Sequence, residues 1–161
     1  MKSNPRKLSS LILSAIVAIS LDNASAEHRD NTMTNTYEIK SWDEEPYLEL
    51  ENSAKYSNAK LQKNYSGEFE GEGQLQYLMA YNESGAAYFT GIEHFKGQIN
   101  GVKGYLSFAH KGSFKNGSVD SSFHIIEGSQ SESFAKLLGE GNFSTGHSMT
   151  VEFEFSFTTK D

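Results

Sequence analysis

The chain of 161 residues contains no cysteine, which removes disulfides, thiolate metal sites and cysteine nucleophiles together. It has two prolines, and almost no stretch carries the 3.6-residue apolar period of an amphipathic helix. Basic residues are scarce: 14 Lys and Arg stand against 21 Asp and Glu. No Lys/Arg cluster offsets that imbalance, so phosphate backbones and anionic lipid are repelled and no nucleic-acid partner is expected. Apolar runs are equally rare. The longest, the 14 residues from Leu8 to Leu21, is too short to span a bilayer as a stable helix.

That run has a different use. Lys2, Arg6 and Lys7 precede it and the small-x-small triplet Ala24-Ser25-Ala26 follows, which together read as an export signal over residues 1–26. The expectation is an exported, periplasmic chain beginning at Glu27, with no integral membrane span after processing. Taking away three basic and one acidic side chain leaves 11 and 20, a formal charge of −9. Residues 27–35, "EHRDNTMTN", are polar and read as a flexible lead-in. Residues 36–160 are long enough to form one domain with a core that needs no disulfide.

What is present is β-structure. β-Branched and aromatic residues alternate with polar ones between glycine-containing turns. Asn100-Gly101 and Asn116-Gly117 predict two-residue hairpin loops, and "NESG" at 82–85 predicts a type I turn closed by a left-handed glycine, hence a three-residue loop. Long strands joined consecutively by tight turns predict an all-β, antiparallel up-and-down barrel rather than a sandwich.

The turns fix registers. The two Asn-Gly loops pair Phe95 with Leu106, Glu93 with Phe108, Gly91 with His110, His110 with Phe123 and Phe108 with Ile125. One face then collects Phe89, Gly91, Glu93, Phe95, Leu106, Phe108, His110, Phe114, Val119, Phe123 and Ile125, while the other carries Thr90, His94, Lys96, Lys111, Asp120 and His124. The loop at 83–85 brings Met79 to Phe89, Tyr77 to Gly91 and Leu75 to Glu93. In "YSGEFEGEGQLQYLMAY", residues 65–81, this register turns Glu68, Glu70 and Glu72 outward. A bulge at Gly71 or Gly73 would reverse the face before it, which keeps Glu70 as a candidate. Near the C-terminus Met149, Val151, Phe153, Phe155 and Phe157 are expected inside. Tyr37 and Ile39 in "TYEIKSW" are expected inside as well, with the two ends of the chain pairing to close the barrel.

Glu93 and His110 form the most informative constellation. They are diagonal neighbours on the inward face, within reach of long side chains, and Gly91 leaves room for the imidazole. They fit a general acid/base pair, with Tyr77 supplying a phenol, and equally a structural polar pair that satisfies itself in the core. Phe89, Phe95, Phe108, Phe123 and Phe155 would line an interior cavity. No metal site is expected: His28 lies in the lead-in, His94 and His124 point outward, and His147 opens the last strand. No cofactor is expected either, since "LLGEGNFSTGH" opens no helix for a phosphate and "SQSES" is a polar turn.

Four segments in order, "TYEIKSWDEEPY", "YSGEFEGEGQLQYLMAY", "FTGIEHFKGQINGVKGYLSFAHKGSF" and "LLGEGNF", resemble the bacterial domain-of-unknown-function family 3224, proteins similar to allene oxide cyclase barrels. The resemblance covers residues 36–158 and implies an eight-stranded antiparallel barrel of the calycin type with an interior cavity. Its motif positions fall on Trp42, Asp43, Glu70, Gly71, Glu93 and His110. Gln76 departs from it, standing where a glutamate is expected, and most of the family's members begin near Met33.

Three functions therefore remain open at this level. The first is a barrel binding an apolar or amphipathic small molecule, its polar end held by Glu93, His110 and Tyr77. The second is an isomerase or cyclase with Glu93 or Glu70 as base and His110 as acid. The third is a filled, self-associating structural module, a homo-oligomer working through its outer face.

Overall fold

A computed structural model describes residues 31–160; the expected export signal and the start of the expected lead-in lie outside the described residues. Eight antiparallel strands follow one another around a closed barrel: β1 (Asn31–Glu49), β2 (Lys55–Ser66), β3 (Phe69–Tyr81), β4 (Ala87–Ile99), β5 (Val102–Lys115), β6 (Ser118–Ile125), β7 (Leu137–Thr145) and β8 (Thr150–Thr159). Single-turn 3₁₀ segments at Glu51–Ser53 and Glu132–Phe134 are the helical pieces between them. β1 closes the barrel against β8, with Tyr37 opposite Val151 and Met33 opposite Phe155. That pairing begins at Asn31, so residues 31–35 of the expected lead-in are strand.

The turn chemistry sets the registers as expected. Asn100, Gly101, Asn116 and Gly117 all have positive φ, the backbone of two-residue loops whose twist matches the flanking strands. Ile99 accordingly faces Val102, and Lys115 faces Ser118. Gly85 is left-handed at φ 77°, and the Asn82 side chain accepts from the backbone N–H groups of Ser84 and Ala86, which fixes the three-residue loop. β3 and β4 then pair without interruption from Phe69–Ile99 to Tyr81–Ala87, so no bulge occurs at Gly71 or Gly73. Glu70 is exposed on the outer face and its Oε2 accepts from Gln98 Nε2 at 2.6 Å; it is not an interior base.

The face reversal occurs elsewhere, in β1. Ile39 pairs with Lys63 and Ser41 with Gln62, leaving Lys40 as the extra residue of a bulge. Tyr37 and Ile39 point inward before it, whereas Trp42 and Glu44 stand opposite the inward Leu61 and Ala59 after it. The bulge also marks where β1 leaves β8: the Ile39 amide donates to the Met149 carbonyl at 2.7 Å, and beyond it β1 pairs with β2 alone. Met149 sits in the loop before β8 and is 56% exposed, a correction to its expected inward position; Val151, Phe153 and Phe155 are buried as expected.

Glycines opposite large rings let the interior close at one end. A side chain at Gly141 would strike the Phe123 ring, and one at Gly139 the Phe155 ring. The "LLGEGNF" motif is thus a packing device in which two bare positions receive two aromatic rings. Those rings join Phe69, Phe95, Phe108 and Phe153 in a continuous cluster, with centroids 5.1 Å apart for Phe69–Phe155, 5.2 Å for Phe108–Phe123 and 5.4 Å for Phe69–Phe95. Edge-to-face contacts of this kind add to area burial. Phe134, from the 3₁₀ turn before β7, packs into the same cluster, and buried Asn35 accepts from the Phe69 amide at 3.0 Å to hold the β2–β3 turn.

Candidate functional site

The interior changes character halfway along the barrel. At that level β2 turns Lys63 inward, between Leu61 and Tyr65, and β4 and β5 contribute Glu93 and His110. All three are buried, with Lys63 1% and Glu93 0% exposed. Glu93 Oε2 lies 2.8 Å from Lys63 Nζ and 2.8 Å from His110 Nε2, and its Oε1 accepts from the Tyr65 hydroxyl at 2.6 Å. The expected Glu93–His110 neighbours therefore meet. The imidazole approach is not in line as a hydrogen bond, however, and Nδ1 has no partner; the ring is held by stacking on Phe123 at 5.1 Å.

Space for the carboxylate comes from β3. Gly73 stands beside Glu93, and a Cβ there would collide with Oε1. Gly91 does the same for Tyr77, whose ring lies across it while meeting His110 edge-on at 6.0 Å. The Lys63 ammonium also sits over the Tyr37 ring, 4.3 Å from its centroid.

Burial is the largest single influence on the titration of every group in this layer. It pushes the Glu93 carboxyl up, but the Lys63 ammonium and the His110 contact outweigh it and hold Glu93 well below the usual carboxylate range. Burial pulls Lys63 down against the opposing attraction of Glu93, and pulls His110 down in the same way. The Tyr37, Tyr65 and Tyr77 hydroxyls are raised, by burial first; the next cause is the Glu93 charge for Tyr65 and Tyr77, and Tyr77 ahead of Glu93 for Tyr37. A carboxylate held ionised by three partners is a weak base, so the cluster is poorly suited to proton abstraction by Glu93.

Above this layer the barrel is open. A cavity of about 270 Å³ enters from the end bearing the 82–86, 116–117 and 146–149 turns. Its wall is apolar, with Ile39, Leu61, Met79, Phe89, Phe114, Val119, Phe143 and Val151; Tyr37, Lys63 and Tyr77 form its floor, and Trp42, Tyr81 and His147 rim its mouth. Of the residues expected to touch a ligand, Tyr77 and Phe89 border this space. Phe95, Phe108, Phe123 and Phe155 do not: they fill the opposite half of the barrel. Glu93 and His110 do not border it either, because Lys63 and Tyr77 stand between them and the opening.

Trp42 earns its motif position at the mouth, where Nε1 donates to Glu44 Oε2 at 3.3 Å. Asp43 is exposed on the outer face, and Gly71 permits close approach of the β4 backbone at Lys96 and Gly97. Lys63 and Tyr65 were not legible as site residues, since β2 mixes polar and apolar residues on both faces. The available signal was register: carrying the β3 pairing one strand further puts Lys63 opposite Gly73, beside Glu93. Among the described residues no group of three or more His, Asp or Glu side chains could hold a metal ion.

No curated protein is detectably similar to the chain. A crystal structure of a protein with unknown function from the DUF3224 family of Shewanella oneidensis MR-1 superposes with a TM-score of 0.71 at 21% identity, covering 82% of this chain and 99% of that one, which supports the fold. The family model described as "Protein of unknown function (DUF3224)" matches residues 33–157, which include part or all of every strand, and the chain belongs to that family.

Proposed function

We propose that this barrel binds a small, largely apolar molecule in its open half, with Lys63 at the floor of the site. The observation that carries this is the cavity itself: an apolar wall leading down to one buried ammonium group. Concave apolar sites with a few convergent polar groups are the usual form of small-molecule pockets. An engineered apolar cavity of about 150 Å³ accepts benzene, so 270 Å³ suits a ligand of about ten non-hydrogen atoms. Acid/base catalysis by Glu93 and His110 fits less well, because neither reaches the cavity surface and Glu93 is held ionised.

Titration with 1-octanol, followed by methyl resonances, tests the proposal. The expected result is saturable shifts at Leu61, Met79, Val119 and Val151, with Leu106 and Ile125 of the filled half unmoved, and loss of those shifts in Val119→Trp. Shifts that fail to saturate, or that persist unchanged in Val119→Trp, would overturn it.

A further inference from the structure

The floor of the cavity restricts the chemistry of what it can hold, given the binding role proposed above. Lys63 brings three N–H donors, and one goes to Glu93 Oε2 at 2.8 Å. That is its single side-chain hydrogen bond, and the Tyr37 ring face lies on another side of the ammonium. At least one donor therefore has no oxygen or nitrogen acceptor from the protein, in a residue that borders the cavity. A buried ammonium with an unmet donor is costly unless something supplies the acceptor.

Charge decides which acceptor. Lys63 and Glu93 already neutralise each other, and among the described residues no acidic side chain borders the cavity and no second buried cation stands beside the pair. A carboxylate would enter as an unbalanced anion within reach of the Glu93 charge, and would surrender its hydration to do so. A neutral oxygen can take the same N–H at far lower desolvation cost. Lys63 donates and cannot accept, so an oxygen with two lone pairs and no hydrogen of its own to satisfy matches it best.

The geometry points to a neutral carbonyl compound of about ten non-hydrogen atoms, an aldehyde, ketone or ester with an apolar tail, whose oxygen accepts from Lys63 while the tail runs toward the mouth. Fatty-acid anions of the same size are disfavoured, although an exposed lysine would ordinarily favour them.

Two size-matched probes test this at neutral pH with the same methyl-resonance titration: 2-nonanone and octanoate. The ketone should bind at least about tenfold more tightly, because the carboxylate must give up its hydration beside the Glu93 charge, and should shift the Lys63 side-chain carbon resonances. Lys63→Met should lose at least about tenfold in ketone affinity. Where that variant does not fold, the Lys63 resonance in the unmodified protein gives the reading by itself. Octanoate binding as tightly as the ketone, or ketone binding that leaves the Lys63 resonance unmoved, would overturn the inference while leaving the cavity's binding role standing. Failure of 1-octanol, 2-nonanone and octanoate alike to shift the cavity methyl groups would overturn both.

Discussion

The two halves of this barrel are built from the same eight strands yet reach opposite outcomes. In one half the inward positions hold Phe69, Phe95, Phe108, Phe123, Phe153 and Phe155, and the rings fill the interior. In the other, the rings of Tyr77, Phe89, Phe114 and Phe143 are interspersed with smaller or slimmer side chains, Ala59, Leu61, Met79, Ala87, Val119 and Val151, and a cavity remains. An eight-stranded barrel is just wide enough for side chains to fill, so the volume of the inward residues at each level decides between core and pocket. Backbone closure alone settles nothing. The polar layer of Lys63, Glu93 and His110 lies at the boundary, with packed rings on one side and open space on the other.

The sharpest way to break this comparison is to unbalance the layer between the halves. Lys63→Met leaves the Glu93 charge buried with fewer partners, and urea denaturation should show a loss of about 3–5 kcal/mol; adding Glu93→Gln should recover most of it. A double variant no better than the single would show that the two groups do not act as a pair. Next in size is the contrast between rings. Phe155→Ala, in the filled half, should cost about 3–5 kcal/mol, whereas Phe114→Ala, half-buried at the cavity wall, should cost roughly 2 kcal/mol less, because water already has access to its site. Equal losses would mean that the cavity half is as tightly packed as the other.

The smallest effect is on pH dependence. The folded protein holds Glu93 below its ordinary value of 4.5 and His110 below its ordinary value of 6.5. Unfolded, both groups take up protons that the folded protein refuses, so their contribution to stability is full above about pH 6.5. It declines as the pH falls through 6.5 and again through 4.5, by at most about 1.4 kcal/mol per pH unit for each proton. A thermal-stability profile flat between pH 7 and 4 would show the layer to be hydrated rather than sealed between the halves.

Much of the fold was legible because turn chemistry is local. Asn100-Gly101, Asn116-Gly117 and the 83–85 loop determine register, and register placed Glu93, His110, Tyr77 and Phe89 on one face, where they stand. Alternation specifies inside or outside, however, and not height along the barrel axis. For that reason Phe95, Phe108, Phe123 and Phe155 were grouped with Phe89 as cavity residues although they lie in the filled half. The bulge at Lys40 was invisible for a related reason: β1 carries no glycine to mark it, whereas Gly71 and Gly73, which suggest one, serve as clearance for a neighbouring backbone and a carboxylate. Lys63 escaped notice because a lysine among polar neighbours reads as surface until the strand beside it is placed.

The incomplete seam between β1 and β8 bears on how the ligand proposed above would enter and leave the cavity. Ladder hydrogen bonding there ends at Ile39 and Met149, and Trp42, Tyr81 and His147 stand around the opening that follows. Entry and exit therefore require no backbone hydrogen bond to break. Trp42 is 46% exposed, and rotation of such side chains takes picoseconds to nanoseconds. For the ligand proposed above, residence time would consequently be governed by the grip of the floor and walls, and the barrel could empty and refill while remaining fully folded.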